Sequence, residues 1–176
     1  MRVAAVAASL AVAIAALPAR AAEPQPYRDP DHYFQIALGD RWSPTEPGAG
    51  PEQLLLARAA SDGRALAVAR VAYPNPRRRD RDYQKQIEAG VEAAARGYHR
   101  LSHKISRAGY VVVIDVTYRR DTDDGREVVA SRFLLFRTFT LILSVTTPAR
   151  SWRHQRRATQ RLLRSFVPYF ADSKDD

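Results

Sequence analysis

Three stretches in the second half of the chain alternate apolar and polar residues with a period of two. They run from Tyr110 to Arg119, from Arg126 to Arg137 and from Phe139 to Thr147. Because successive side chains of a strand point to opposite faces, this period predicts three antiparallel strands with one face better buried than the other. We place a turn at Arg137-Thr138, since an unbroken strand from Arg126 to Thr147 would be about 70 Å long at about 3.3 Å per residue.

Shorter strands are predicted in the first half. Tyr33 to Leu38 forms the first, and Ser43 to Glu52, which holds three Pro and two Gly, predicts a loop. Leu54 to Ala60 and Ala65 to Tyr73 flank the turn Ser61-Asp62-Gly63-Arg64. Asp-Gly between apolar runs is the strongest short-range signal for a hairpin, so these two strands should pair antiparallel.

Two segments place apolar residues at helical spacing. The first begins with Asp82 as its N-cap and continues to about Arg96, and Gly97 ends it. His99 to Arg107 then alternates and predicts one more strand. The last helix is capped by Ser151 and reaches about Phe166. The residues expected to face solvent are Lys85, Glu88 and Glu92 on the first helix and Arg153, Arg157, Arg161 and Arg164 on the last. The sequence therefore predicts an α+β fold, with an antiparallel sheet flanked by two main helices.

The N-terminal residues are typical of a cleavable signal peptide. One positive charge, Arg2, precedes an uncharged run from Val3 to Leu17, which is too short to span about 30 Å of hydrocarbon. Ala19-Arg20-Ala21 supplies the small-x-small pattern for cleavage after Ala21, with Ala22 as the alternative. An uncleaved anchor is disfavoured because alanine dominates the run and inserts weakly. The predicted organisation is a signal peptide at 1–21, an extended leader at 22–30, a single domain at 31–169 and a polar tail at 170–176.

Composition narrows the class of protein. The full chain has 28 basic and 19 acidic residues, a formal charge of +9; loss of Arg2 and Arg20 with the signal peptide leaves 26 basic and 19 acidic residues, or +7. This charge suits an anionic partner, yet all but three of the basic residues are Arg, a bias that GC-rich coding also produces. The chain has no Cys, which excludes disulfides and a lipoprotein thiol anchor. No second apolar run of membrane-spanning length follows.

Two short patterns accompany this order of elements. They are F-x-I followed by G-x-x-W, here Phe34-Gln35-Ile36 with Gly39 and Trp42, and a closing Ser165-Phe166 after an amphipathic helix. With three strands, a helix, four strands and a helix, the chain resembles the PsbP-like fold family over about Tyr27 to Pro168. That family includes the photosystem extrinsic subunit PsbP, the envelope protein DcrB and a Ran-binding nuclear-import factor. The resemblance implies an α/β/α-type sandwich and a non-enzymatic accessory or binding role, and it implies no functional residue.

Candidate catalytic and metal-binding groups are few. The chain lacks G-x-S-x-G, H-E-x-x-H, P-loop and G-x-G-x-x-G motifs. His99 and His103 share a face of their predicted strand but would lie about 13 Å apart, too far to bind one metal ion. Asp121 to Gly125 (DTDDG) is similar to the start of a calcium loop, but the twelfth position is Arg132, so a hairpin turn is favoured. We predict no catalytic residue, no metal site and no cofactor.

The densest charge run is the candidate binding site, and it consists of Arg77, Arg78, Arg79 and Arg81. Guanidinium groups there can bind phosphates or acidic polymer, although a solvated loop is the plainer interpretation. The outward arginines of the last helix add to this patch only if the arginine run and the last helix lie on the same side of the sheet.

We therefore expect an exported, soluble, non-enzymatic accessory or binding protein, located in the periplasm or secreted, whose partner is another envelope protein. The alternative is binding of anionic lipid or polysaccharide through Arg77 to Arg81, and a hydrolase is the least supported class. Nucleic acid is not expected as a partner, because the domain is exported and aromatic residues such as Phe133, Phe139 and Trp152 occupy predicted core positions.

Overall fold

A computed structural model describes residues 26–29, 31, 34–45, 53–59, 63–72 and 80–169. The predicted signal peptide at 1–21 and the polar tail at 170–176 lie outside these residues, as does the first part of the predicted leader. The domain boundaries drawn from the sequence therefore stay predictions.

The described residues form ten strands and two α-helices. The strands are β1 (Tyr27–Arg28), β2 (Phe34–Ile36), β3 (Trp42–Thr45), β4 (Gln53–Ala59), β5 (Ala65–Ala72), β6 (His99–Ala108), β7 (Val111–Thr122), β8 (Gly125–Leu135), β9 (Phe139–Pro148) and β10 (Val167–Pro168). The helices are α1 (Asp80–Ala94) and α2 (Trp152–Ser165), and a 3₁₀ turn at Ala149–Ser151 precedes α2. The predicted α+β class is confirmed. Neither described helix is both long enough and apolar enough to cross a membrane.

Seven strands form one antiparallel sheet in the order β3-β4-β5-β9-β8-β7-β6. The predicted hairpins are present, since β4 pairs with β5, β7 with β8, and β8 with β9. The turn predicted at Arg137-Thr138 separates β8 from β9, and Phe136 N donates to Phe139 O across it at 2.9 Å. Pairing of β5 with β9 joins the first half of the chain to the second.

Both faces of this sheet are covered, and the α2 side is the better buried of the two, as the period-two pattern predicted. In β7, Val111 packs in the cluster that contains Leu162 of α2, whereas the next residue, Val112, packs in the cluster that Val91 of α1 contacts. Adjacent strand residues point to opposite faces, so α1 and α2 lie on opposite sides of the sheet. The resemblance implied this α/β/α arrangement. In β7 the cover of both faces is visible as a run that is apolar on both sides, Val111 to Ile114.

A second, three-stranded sheet in the order β1-β2-β10 connects the two ends of the described chain. Tyr27–Arg28, which falls in the predicted leader, pairs with one side of β2, and Val167–Pro168 pairs with the other. The fully buried rings of Phe34 and Phe166 meet with centroids 5.3 Å apart. The C-terminal end of α2 is thereby held beside β2.

The predicted loop from Ser43 to Glu52 is wrong in its first part, since Trp42–Thr45 forms β3 and pairs with β4. Pro44 cannot donate a backbone hydrogen bond, but β3 is the last strand at its end of the sheet, where one side needs no partner. Residues 46–52 lie outside the described part of the chain.

The predicted helix caps also need correction. Helix α1 begins at Asp80, so Asp82 lies inside its first turn instead of capping it. Ser151 makes no side-chain cap bond to α2, because it ends the 3₁₀ turn with helical backbone angles of −92° and −13°. Gly97 follows α1 with a φ of +64°, which favours glycine, and a Cβ there would force the Asp121 carboxylate to move.

Candidate functional site

The arginine run predicted as a binding site lies mostly outside the described residues. Arg77, Arg78 and Arg79 fall there, and Arg81 is the second residue of α1. Its role stays a prediction. The fold also shows whether the arginines of α2 lie on the same side of the sheet as α1. They do not, because α1 and α2 lie on opposite faces of the sheet. The outward arginines of α2 therefore lie on the opposite face of the sheet from α1, the helix that contains Arg81.

Helix α2 carries five exposed arginines and no acidic residue in its 14 positions. We call them the arginine face: Arg153, Arg156, Arg157, Arg161 and Arg164. The buried residues of the helix are Thr159, Leu162 and Leu163. Because these buried residues fix the rotation of α2, its arginines are held toward solvent. The predicted outward arginines are confirmed, and Arg156 adds a fifth.

The positive charge of the arginine face is not balanced within the described part of the chain, where none of its five arginines has an ion-pair partner. Arg153, Arg157 and Arg161 are four residues apart in turn, and each such like-charge pair destabilises a helix by about 0.2–0.5 kcal/mol. Arg153 also lies in the first turn, where the helix dipole disfavours a cation. Negative groups of a partner would relieve both effects, and a guanidinium can grip a carboxylate or phosphate through two parallel hydrogen bonds.

One end of the arginine face borders a cleft of about 590 Å³ between α2 and the turn that joins β2 to β3. We call it the arginine cleft, because Arg41, Arg64 and Arg161 line it. Arg64 is only 4% exposed, and its guanidinium lies 5.0 Å from the centre of the Trp42 ring. Asp40 is the one acidic residue among the lining residues. The cleft therefore extends the positive surface of α2 toward β3.

The patterns that carry the fold resemblance converge on the arginine cleft. Gly39 adopts a φ of +66°, and its carbonyl accepts a hydrogen bond from Trp42 N at 3.3 Å, which closes the turn after β2. Ser165 Oγ accepts from Ala37 N at 3.1 Å and donates to Leu162 O at 2.7 Å. These bonds tie the end of α2 to the end of β2, so the residues of the two patterns form one wall of the cleft.

Three cross-strand ion pairs join β7 to β8, and one of them, Arg126 with Asp121, lies at the hairpin end. Arg132 donates from Nε and Nη2 to the two oxygens of Asp115 at 2.7 and 2.8 Å. Arg120 donates from Nε and Nη2 to Glu127 Oε2 at 3.0 and 2.9 Å. The Arg132–Asp115 pair is bidentate, whereas both donors of Arg120 bind one oxygen of Glu127, and these pairs stabilise the pairing of β7 with β8.

A β-bulge between Arg100 and Ser102 corrects the prediction that His99 and His103 share a face. The register places His99 opposite Arg119 and His103 opposite Val116 in β7. Since 116 and 119 differ by an odd number, the two histidines lie on opposite faces of the sheet. Sequence alone could not place the extra residue.

Glu88 of α1 is not the solvated residue that the helical pattern predicted. Its side chain is 21% exposed, and its carboxylate lies 3.1 Å from His103 Nε2 and 3.4 Å from Arg100 Nη1. Both partners belong to β6, so this cluster attaches the middle of α1 to the edge strand beneath it.

The DTDDG segment forms the predicted hairpin turn, with Asp123 and Asp124 between the end of β7 and the start of β8. Asp121 accepts a hydrogen bond from Arg126 Nε at 3.1 Å, and Asp123 lies 3.6 Å from Arg96 Nη1. Arginines therefore face these carboxylates. Within the described ranges, no three His, Cys, Asp or Glu side chains lie close enough together to hold a metal ion.

Burial raises the pKa of three tyrosines above its ordinary value of 10.0. Tyr98 and Tyr118 lie under α1 with ring centres 5.4 Å apart, and at Tyr27 the nearby charge of Asp29 adds to the effect of burial. These phenols are therefore neutral near pH 7.

No family model and no curated protein matches this sequence. Solved structures match its fold. CyanoP, the cyanobacterial PsbP of Synechocystis sp. PCC 6803, is 15% identical with a TM-score of 0.65, covering 82% of this chain and 92% of its own. LpqN of Mycobacterium tuberculosis, which is involved in cell envelope biogenesis, is 11% identical with a TM-score of 0.61, covering 83% and 90%. The Ran-binding protein Mog1p of Saccharomyces cerevisiae is 9% identical with a TM-score of 0.58, covering 81% and 94%. The chain has a PsbP-like fold, and likeness at these identities shows the fold alone.

Proposed function

We propose that this protein is an exported, non-enzymatic binding protein of the cell envelope, and that it binds an acidic surface of another protein through the arginine face of α2. The observation that carries the proposal is the set of five exposed arginines, with no acidic residue among them, on a helix whose other side is fixed in the core. Such a surface repels itself in the unbound protein, and negative groups of a partner remove that repulsion.

One similar structure supports the binding class, and another supports a role in the cell envelope. Mog1p is a Ran-binding protein, and LpqN is involved in cell envelope biogenesis. We carry over to this chain the class of function and not the partner. The pairing of Asp115 and Glu127 with arginines also favours binding over catalysis, because those carboxylates are engaged within the sheet.

A protein partner fits the arginine face better than a lipid surface does. A membrane-binding amphipathic helix buries its apolar side among acyl chains, but the apolar side of α2, including Leu162 and Leu163, is buried in the core. The helix is also rigidly placed, and arginine forks match carboxylates held at fixed positions. The arginine cleft supplies a concave end to this surface, which a protruding acidic group of a partner can enter.

The test begins with capture of partners from a cell-envelope extract by the exported protein, followed by purification of the captured protein and measurement of its Kd. The triple variant Arg153→Ser, Arg157→Ser and Arg164→Ser should weaken that Kd by at least about tenfold. The association rate of the unchanged protein should fall as salt rises from about 50 mM to about 300 mM, because the Debye length shortens.

A matched control removes the same charge elsewhere. Arg58, Arg96 and Arg137 are exposed arginines outside α2, and their replacement by Ser should change the Kd by less than about twofold. Equal weakening by both triple variants would contradict the proposed surface, since net charge alone would then explain the binding.

The anionic lipid or polysaccharide alternative has its own test. If the exported protein binds anionic vesicles or acidic polysaccharide, and replacement of Arg77, Arg78, Arg79 and Arg81 by Ser abolishes that binding while the α2 variant retains it, the alternative replaces our proposal. Unchanged binding in the loop variant excludes that loop as the site.

Export and the absence of catalysis are tested separately. Mass spectrometry of the protein recovered outside the cytoplasm should give a chain that begins at Ala22, after loss of residues 1–21. A screen against hydrolase substrates should show no turnover that depends on this protein. Turnover abolished by a single His or Asp substitution would overturn the non-enzymatic proposal.

A further inference from the structure

The two edges of the seven-stranded sheet are very different. One edge is β3, which has four residues and contains Pro44. The other is β6, which has ten residues, His99–Ala108, and no proline. Short strands and proline are common ways of protecting a sheet edge, and β3 has both features. Strand β6 has neither of them, and it forms the longer edge.

Strand β6 pairs with β7 and has no other strand beside it in the described part of the chain. In an antiparallel pair, every second residue turns both its N–H and its C=O away from its neighbour. A ten-residue edge strand therefore presents a ladder of backbone donors and acceptors to whatever approaches from outside. An extended segment of another chain can complete that ladder by adding a strand.

The large hydrophobic side chains that are exposed in the described residues all lie on β6 and the turn after it. Leu101 is 44% exposed, Ile105 is 45% exposed and Tyr110 is 69% exposed. The β-bulge falls at Leu101, between Arg100 and Ser102. Exposed apolar side chains beside an open backbone ladder are the combination that strand addition uses, because side chains give specificity and the backbone gives affinity.

The charge of β6 indicates which kind of strand would bind beside it. From His99 to Tyr110 the chain has no acidic residue, while Arg100, Lys104 and Arg107 are basic. Glu88 of α1 neutralises part of this charge at the Arg100 end. An incoming strand with acidic side chains would therefore be attracted, and a basic strand would be repelled.

We propose that β6 is a docking edge for an extended, acidic segment of a partner protein, which adds an eighth strand to the sheet. A second copy of this chain fits the edge less well, because antiparallel β6–β6 pairing would set the basic residues of the two copies against each other. This inference goes beyond the proposed function, since it concerns an edge strand and a backbone interaction that do not involve α2.

The test uses the ¹⁵N-labelled exported protein and a synthetic peptide of about ten residues in which Glu and Val alternate. Addition of the peptide should slow hydrogen exchange of alternate β6 amides by at least about tenfold, and leave the amides of β3 unchanged. A peptide in which Lys replaces Glu should give no protection. If no β6 amide is protected at about 1 mM peptide, or if both peptides protect equally, the proposal is wrong.

Two matched lysine variants test the role of charge at the edge. Lys104 lies on β6 and Lys85 on α1, and both are exposed. Lys104→Glu should weaken peptide binding by about tenfold, whereas Lys85→Glu, with the same change of net charge, should weaken it by less than about twofold. Equal effects would contradict docking at β6.

Further controls separate this inference from the proposed function and from self-association. The variant Arg153→Ser, Arg157→Ser and Arg164→Ser should keep the peptide-induced protection of β6. If the peptide binds the parent protein without protecting β6 amides, and this variant no longer binds the peptide, docking at β6 is refuted. The proposed role of the arginine face would still stand. Protection of β6 amides that rises with protein concentration, without peptide, would identify a second copy as the occupant and overturn the proposal.

Discussion

The two faces of the seven-stranded sheet are closed in different ways. In the described part of the chain, nineteen buried residues form the cluster on the α2 side, and eight form the cluster on the α1 side. Helix α2 contributes buried Leu162 and Leu163, whereas α1 contributes Ile87 and Val91, which are only partly buried. The proposed binding surface on α2 therefore lies on the better-packed side of the sheet. A rigid base holds the arginines of α2 in place, and α1 depends more on polar contacts with β6.

The largest expected difference between the faces comes from one aromatic residue and one aliphatic residue. Phe166 is fully buried against Phe34, so Phe166→Ala should lower the free energy of unfolding by about 3–5 kcal/mol. Ile87 on α1 is partly buried, and Ile87→Ala should cost about 1–2 kcal/mol. Urea denaturation followed by circular dichroism measures both losses.

Equal costs for the two substitutions would contradict the idea that the α2 face is the stronger one. If Phe166→Ala does not fold, Phe166→Leu provides the comparison, with an expected loss of about 1–2 kcal/mol, because leucine fills most of the same volume.

Two of the cross-strand ion pairs, taken from opposite faces of the sheet, give a second comparison. On the α2 side Arg132 and Asp115 are 13% and 27% exposed, and on the α1 side Arg120 and Glu127 are 36% and 28% exposed. Asp115→Asn should cost about 2 kcal/mol, since it leaves a mostly buried guanidinium without its counter-charge. Glu127→Gln should cost about 0.5 kcal/mol, because water screens the better exposed arginine. Denaturation midpoints that rank the two variants the other way would count against this difference in burial.

Much of the fold was predictable because period-two and helical periodicity are local signals. The pattern identified the hairpins, both helices and the turn at Arg137-Thr138. It could not show that both faces are covered, since a run such as Val111 to Ile114 has no polar side. It also missed β3, because Ser43 and Pro44 favour loops and only pairing with β4 makes them a strand.

The candidate site was less predictable because its parts are distant in sequence. The outward arginines of α2 follow from helical spacing, but the arginine cleft combines residues 37–42, Arg64 and residues 158–165. Each of these segments alone indicates a turn or a helix. The signal available was the G-x-x-W pattern, which includes Arg41 and lies at the cleft, although nothing in it indicates that Arg64 would pack against Trp42.

A smaller effect is expected from the polar attachment of α1. Glu88→Gln removes the negative charge that faces His103 and Arg100, and should cost about 0.5 kcal/mol because the cluster is partly exposed. Glu92→Gln makes the same change at an exposed position of the same helix and is the matched control. Hydrogen exchange of α1 amides should quicken in the first variant and not in the second. Equal rates in both would mean that Ile87 and Val91 alone hold the helix.

The smallest change in stability at neutral pH is expected from substitution of Tyr118, which lies beneath α1. At high pH the same substitution should have a specific effect. Burial raises the pKa of this phenol above its ordinary value of 10.0, so the folded state keeps the proton that the unfolded state loses. Stability from the neutral phenol is therefore complete below about pH 10 and is lost as the pH rises through the raised pKa. Tyr118→Phe cannot ionise, so its denaturation midpoint should fall less than that of the parent protein between about pH 8 and about pH 11. Tyr110→Phe, which removes a phenol that is 69% exposed, is the control, and an equal flattening there would show that burial under α1 is not the cause.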